Sequence, residues 1–340
     1  MSEKLGDALR YWLASLVAAQ LITVAAVAQV TAQVVAEASP KHTPHGPVWT
    51  VPEIGALPHD AHGTQVRDGR DLITATYAHI GPNVPDAAKR FAGNNLACTN
   101  CHLEAGTKKF GLPLFGLYED FPQYSARTGT DITIEDRINS CMTRSMNGKP
   151  LPADSPEMQA MVAYIKFISS GVKPDQRLPG LGTGHMQLLD RAASPSRGAP
   201  LFRNTCADCH NSNGAGISNG TSGSDLGYLV PPLWGEDTFN DGAGMARLIT
   251  FANFIHFNMP HGTDYVDPQL SVENAWDIAA FVLSHRRPHL TGLEHDFPDL
   301  LKKPVDAPYG PYADHFRERQ HKYGPFAPIE AALARLKEKH

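Results

Sequence analysis

The sequence is poor in cysteine, in aromatic side chains and in surplus charge. Five cysteines occur in 340 residues, aromatics make up 8%, and 30 Lys and Arg stand against 35 Asp and Glu, for a formal net charge of -5. An odd number of cysteines excludes complete disulfide pairing. The lack of a basic surplus or stripe argues against a nucleic-acid partner. A hydrophobic content of 42% and a charged content of 19% are ordinary for a globular chain, and the length allows two domains with extensions.

An uncharged stretch, Tyr11 to Ala36, is long enough to cross a bilayer, which takes roughly 20 apolar residues. Residues 1–38 therefore read as a secretory signal peptide or an uncleaved membrane anchor. Small-residue sites at Ala26 to Ala28 and Ala36 to Ala38 suit cleavage; Glu3, Asp7 and the length of the run lean towards an anchor. Either reading leaves Lys4 and Arg10 in the cytoplasm and exports the rest to the periplasm, beginning with a polar spacer over 39–66.

Four of the five cysteines fall in two blocks, Cys98-Thr-Asn-Cys101-His102 and Cys206-Ala-Asp-Cys209-His210. C-x-x-C-H is the attachment sequence of c-type haem. The two thiols add to the two vinyl groups along one edge of the macrocycle, and the adjacent histidine becomes an axial iron ligand. Zinc would require four ligands, and neither block has a second cysteine pair nearby. Two covalently bound haem c groups are the expectation.

The surroundings of the two motifs repeat. Each half reads helix, haem motif, loop region, candidate ligand, closing helix. The closing helices are marked by Ser155-Pro156 and by Ser271 as caps, and Met158, Met161, Val162, Ile165 and Ile168 fall at helical spacing. This is the plan of a small helical cytochrome c, twice over: an all-α fold of two tandem cytochrome c-type domains with long loops. The expected boundaries are 67–172 and 197–295, with a Pro- and Gly-rich linker over 173–196 and an extended C-terminal strap over 296–340 that ends in a short helix.

Each iron takes a sixth ligand or is left open. In the second half Met259 precedes Pro260 ahead of the closing helix, whereas Met245 opens an apolar helix and reads as core. In the first half the candidates are Cys141, Met142 and Met146. A lone cysteine is commonly buried and inert, but Cys141 holds the repeat position of Met259 and is flanked by Arg137 and Arg144, whose charge would stabilise a thiolate. Axial ligand identity moves haem potentials over roughly 0.8 V. A thiolate haem paired with a thioether haem would run electrons downhill from the first half to the second.

The stretches "RFAGNNLACTNCHLEAGTKKFGLP", "EDRINSCMTRSMNGKPLP", "PPLWGEDTFNDGAGMARL", "NMPHG" and "KKPVDAPYGPYADHF" resemble the dihaem thiosulfate dehydrogenases that form tetrathionate. The resemblance runs from about Gly69 to Ile329. It implies His102 and Cys141 as ligands of a catalytic haem, His210 and Met259 as ligands of an electron-transfer haem, and an external electron carrier such as a small cytochrome c. Some members carry a lysine before the methionine that can replace it as ligand. Asn258 stands here instead, and the aromatic that often follows the cysteine is Met142. Joining two thiosulfate dianions calls for cations, with Arg144, Lys108, Lys109, Arg127, Arg137 and Lys149 as candidates and Arg144 and one of the pair Lys108 and Lys109 favoured; Arg137 has Glu135 and Asp136 beside it as alternative partners. Two other readings keep the same haems: a non-enzymatic dihaem electron-transfer cytochrome, and a Sox-type cytochrome that loads a sulfur carrier.

Overall fold

Helix α1 (Ala61–Thr74) opens the first half. Asp60 caps it, its carboxylate accepting from Gly63 N at 2.7 Å. The helix buries Val66, Gly69, Leu72 and Ile73, the spacing of one helical face. A computed structural model describes residues 49–173, 178–220 and 227–339; the N-terminal segment expected to be a signal or anchor lies outside them. Among the described residues no helix is long and apolar enough to cross a membrane.

Five further helices frame the two halves. Helix α2 (Ile134–Arg144) and helix α3 (Pro156–Ile168) complete the first. Helix α4 (Pro195–Thr205) precedes the second haem motif, helix α5 (Leu248–Asn258) ends at the Met259 turn, and helix α6 (Val272–Leu283) closes the second half. As the sequence suggests, Ser155 and Ser271 cap α3 and α6, accepting from Met158 N and Asn274 N.

The first and closing helices of each half cross at a glycine. A Cβ on Gly69 of α1 would stand 1.9 Å from the Ala160 carbonyl of α3, and one on Gly198 of α4 would stand 1.9 Å from the Asp277 carbonyl of α6. Only a residue without a side chain allows these backbones to touch. The repeat seen in the motifs thus extends to the packing. Asp277 also ties down the start of α4, accepting from Arg197 on the helix and from Arg191 and Ser194 N just before it.

Two apolar cores result. Val66, Ile80, Met142, Met146, Met158, Met161 and Ile165 centre the first; Phe202, Phe251, Trp276 and Ile278 centre the second. The helical content of the described residues matches the expected all-α class, apart from two small antiparallel ribbons among them. Strands β1 (Gln123–Ser125) and β2 (Thr130–Ile132) pair in the first half. Strands β3 (Ile217–Ser218) and β4 (Tyr228–Val230) pair beside the second motif.

The chain after residue 296 is more than an extended strap. Helix α7 (Ala327–Lys337) and the turn before it insert Phe326, Ile329 and Leu333 into the second core. On the way, Asp306 is fully buried and accepts from Arg247 Nε at 2.7 Å and from Ile249 N at 2.9 Å. The halves meet along buried polar contacts. Asn94 donates to the Ser145 and Thr238 carbonyls, and Asn240 donates to the Thr143 carbonyl at the end of α2.

Candidate active site

The first haem motif forms a tight turn, Cys98–Asn100, running into Cys101 and His102. Asn100 closes it by accepting from Ala97 N at 2.7 Å, and buried Thr76 accepts from Cys98 N at 3.1 Å. His102 Nδ1 lies 2.5 Å from the Leu112 carbonyl. A carbonyl can only accept, so Nδ1 carries the proton and Nε2 keeps its lone pair. The second motif repeats the device: His210 Nδ1 donates to the Pro231 carbonyl at 3.0 Å. Burial holds His210 below the usual histidine range, against the Pro231 contact, so it is neutral and able to ligate.

The motif cysteines fit covalent haem rather than a dithiol centre. All four are unbridged. Burial pushes the Cys98 thiol up to about 11, Cys101 up to about 12 and Cys206 up to about 11. Such neutral thiols are poor nucleophiles. With each histidine held in the tautomer that frees Nε2, the residues present suit a haem c in each half.

Cys141 is different in kind. It lies inside α2, not in a loop as expected. The cause is legible locally: Thr133 and Asp136 form a reciprocal capping box at the start of the helix, Asp136 N donating to Thr133 Oγ1 and Thr133 N to Asp136 Oδ2. The helix places Arg137 one turn before Cys141, and Arg137 Nη1 donates to Cys141 Sγ at 3.0 Å. Burial raises this thiol, but the Arg137 guanidinium beside it is the largest of the opposing causes, and the net direction is down. The half-buried Cys141 sulfur thus lies between the Arg137 guanidinium and the His102 ring.

The other expected cations are distributed differently from their ranking in the sequence. Asp136 is occupied with the helix cap, which leaves Arg137 to the sulfur. Arg144 turns away: Nη2 meets Asp296 at 2.8 Å and Nη1 the Gly242 carbonyl at 3.2 Å. Arg127 binds the other oxygen of Asp296 at 2.9 Å and donates to Tyr309 at 3.1 Å. Lys108 Nζ lies 3.4 Å from the Thr263 carbonyl, and Lys149 sits over the Phe91 ring at 5.1 Å. Lys109 lies near the rings of Trp49 and Tyr265. Asp296, in a stretch whose sequence offered no chemistry, pairs with both arginines and anchors the C-terminal segment to the Cys141 helix.

In the second half, Met259 caps the end of α5, its N–H donating to the Ile255 carbonyl at 2.9 Å. The competing sulfurs are committed to packing: Met245 is buried in the second core, Met142 and Met146 in the first. Three buried polar atoms within four residues of Met259 in the sequence lack a protein partner, His256 Nδ1, Asn258 Oδ1 and Thr263 Oγ1. Buried polar atoms are normally satisfied, so each marks a point where a further polar group would fit. Phe110 and Leu112, between the first motif and this turn, adopt left-handed backbone conformations with φ of 57° and 52°. Each costs about 1–3 kcal/mol for a residue with a side chain and persists because its surroundings fix it.

Comparison with known proteins places these features. Residues 88–173 match the family model of the SoxA/TsdA cytochrome c domain and residues 195–286 that of cytochrome c. The chain is 42% identical over 243 residues to a thiosulfate dehydrogenase of Allochromatium vinosum, covering 70% of this chain and 84% of that protein. It belongs to the thiosulfate dehydrogenase family. A second relative of that name, from Stutzerimonas stutzeri, is 36% identical over 70% of this chain and 72% of its own length. The structure of the thiosulfate dehydrogenase TsdBA of Marichromatium purpuratum superposes with a TM-score of 0.64 at 31% identity, over 72% of this chain and 50% of that one. As in any member of the family built on two cytochrome c domains, the cofactors are two covalently bound haem c groups.

Proposed function

We propose that this protein oxidises two thiosulfate ions to tetrathionate in the first half and passes the two electrons through the second half to an external carrier, a small cytochrome c. The observation that carries this reading is the Arg137–Cys141–His102 arrangement: a thiol made acidic by a guanidinium, opposite the histidine of a haem motif. A passive electron carrier has no use for a nucleophilic thiolate there, and family membership supports thiosulfate as its partner.

His102 and Cys141 would hold the iron of the first haem, and His210 and Met259 that of the second. The haems supply one-electron acceptors, one for each electron of the reaction. The remaining chemistry belongs to the chain. Cys141 thiolate and the outer sulfur of one thiosulfate form an S–S bond, giving Cys141–S–S–SO3⁻ and releasing two electrons. The outer sulfur of the second thiosulfate then attacks the sulfur bonded to Cys141. The Cys141–S bond breaks, tetrathionate leaves, and the thiolate returns with no further electron change. Arg137 supports the thiolate before and after, and its charge offsets the repulsion between incoming dianions. Tetrathionate reduction is the same sequence reversed.

The test is a steady-state assay of the haem-loaded protein with thiosulfate and ferricyanide. Formation of tetrathionate with two ferricyanides reduced for each product supports the reading. Absence of turnover with free thiosulfate, together with transfer of its sulfur to a carrier protein, would overturn it. The exported location rests on the N-terminal segment and on the covalent haems; the same segment, if retained, would tether the protein to the inner membrane.

A further inference from the structure

The stretch that orients His102 is bonded to the turn that presents Met259. The Leu112 carbonyl accepts from His102 Nδ1 at 2.5 Å. The Phe110 carbonyl, two residues earlier, accepts from Asn258 Nδ2 at 3.0 Å. Asn258 also donates to the Phe254 carbonyl at 2.9 Å, is 1% exposed, and is followed by Met259. The left-handed conformations of Phe110 and Leu112 set the directions of these two carbonyls. Linker carbonyls hold the same residues from behind, with Phe110 N donating to Gly180 O at 2.6 Å and Leu112 N to Gly182 O at 3.0 Å. The Phe110 ring packs against Phe257 at 5.5 Å and Tyr265 at 4.9 Å, on either side of the Met259 turn.

We propose that Asn258 is a positioning residue for the Met259 sulfur, fixing the turn that presents it to the stretch that orients His102. The proposal rests on the His210/Met259 ligation described above. Asn258 is the last residue of α5, where the helix no longer directs the chain through its own hydrogen bonds. Both amide hydrogens are used, one within α5 and one across to the first half, so the direction in which the chain leaves the helix is set by a group outside it. Removing the amide leaves the partly buried Phe110 carbonyl without this donor, which the turn relieves by moving or by admitting water. Through this bond the sixth ligand of the second haem depends on the conformation of the first half.

The test uses the haem-loaded full chain as wild type, Asn258→Ala, Asn258→Asp and Asn258→Gln. Aspartate keeps the size but lacks the donors; glutamine keeps the amide and displaces it. The readouts are the near-infrared methionine–iron band of the oxidised second haem and that haem's midpoint potential, neither of which requires thiosulfate. The expected result is a weakened band and a lowered potential in the Ala and Asp variants, with a smaller change in Gln and both haems still attached. A band and potential equal to wild type in a folded Ala or Asp variant would overturn the proposal. Failure of all three variants to load haem would assign Asn258 to folding and overturn it too. Absence of the band in wild type would remove the ligation reading and this inference with it, while leaving the thiosulfate assay a separate question.

Discussion

Arg137 Nη1 lies 3.0 Å from Cys141 Sγ, one helical turn away on the same helix, while Arg144 on that helix is taken by Asp296 at 2.8 Å. The two arginines flank the sulfur in sequence, four residues before it and three after it, yet the structure gives them different tasks. Substitution should separate them. Arg137→Met is expected to lower kcat by about tenfold to a hundredfold, the loss of one hydrogen bond to a charged group, with little change in thermal stability. Arg144→Met is expected to lower the unfolding midpoint more than kcat. Paired measurements of kcat and Tm check this; the reverse pattern would assign Arg144 to the substrate.

Asp296 holds both Arg127 and Arg144 and is about one-tenth exposed. Asp296→Asn leaves two partly buried guanidinium groups facing a neutral amide, and breaking a buried pair by removing one partner costs about 3–5 kcal/mol. The expected outcome is a midpoint lower by several degrees and a faster proteolytic release of the segment after residue 296. A variant as stable and as protease-resistant as wild type would show that this segment is held mainly by α7.

The glycine crossings give a sharper stability test. Gly69→Ala and Gly198→Ala each place a methyl group 1.9 Å from a carbonyl of the facing helix. Backbone cannot yield as a side-chain tip can, so each is expected to cost about 1–3 kcal/mol or more and to reduce recovery of haem-loaded protein. Thermal unfolding measures it. Normal stability in either variant would mean that the paired helices slide apart without penalty.

The ties between α4 and α6 set a pH dependence. Burial alone would raise the Asp277 carboxyl, but Arg191, Arg197 and Ser194 N outweigh it and hold the group below its ordinary value. A carboxylate lowered in the folded state contributes stability at pH values above its unfolded value near 4. That contribution is lost as pH falls through the folded value. Wild type should therefore lose stability below about pH 4 more steeply than Asp277→Asn, as read by denaturant midpoints at a series of pH values. Parallel curves would show that Asp277 contributes nothing through its charge.

Much of this was legible before any coordinates. Two C-x-x-C-H motifs fix haem attachment because the chemistry demands that spacing, and Ser-capped periodic stretches fix α3 and α6. The helix carrying Cys141 has a legible start too, in the Thr133–Asp136 capping pattern. What the sequence does not show is choice of partner. Arg144 looks the freer of the two arginines until a carboxylate 152 residues away claims it. Asn258 looks like the absence of a ligand until its amide is seen to cross to Phe110. Long-range pairings of this kind depend on the assembled fold and leave no local pattern.

The central claim is that the Cys141 sulfur takes part in bond making. Its most direct test is tetrathionate formation by haem-loaded Cys141→Ala set beside wild type at equal haem content. The account predicts that the variant keeps both haems and forms no tetrathionate from thiosulfate, whatever the acceptor. Tetrathionate formed at the wild-type rate would contradict it.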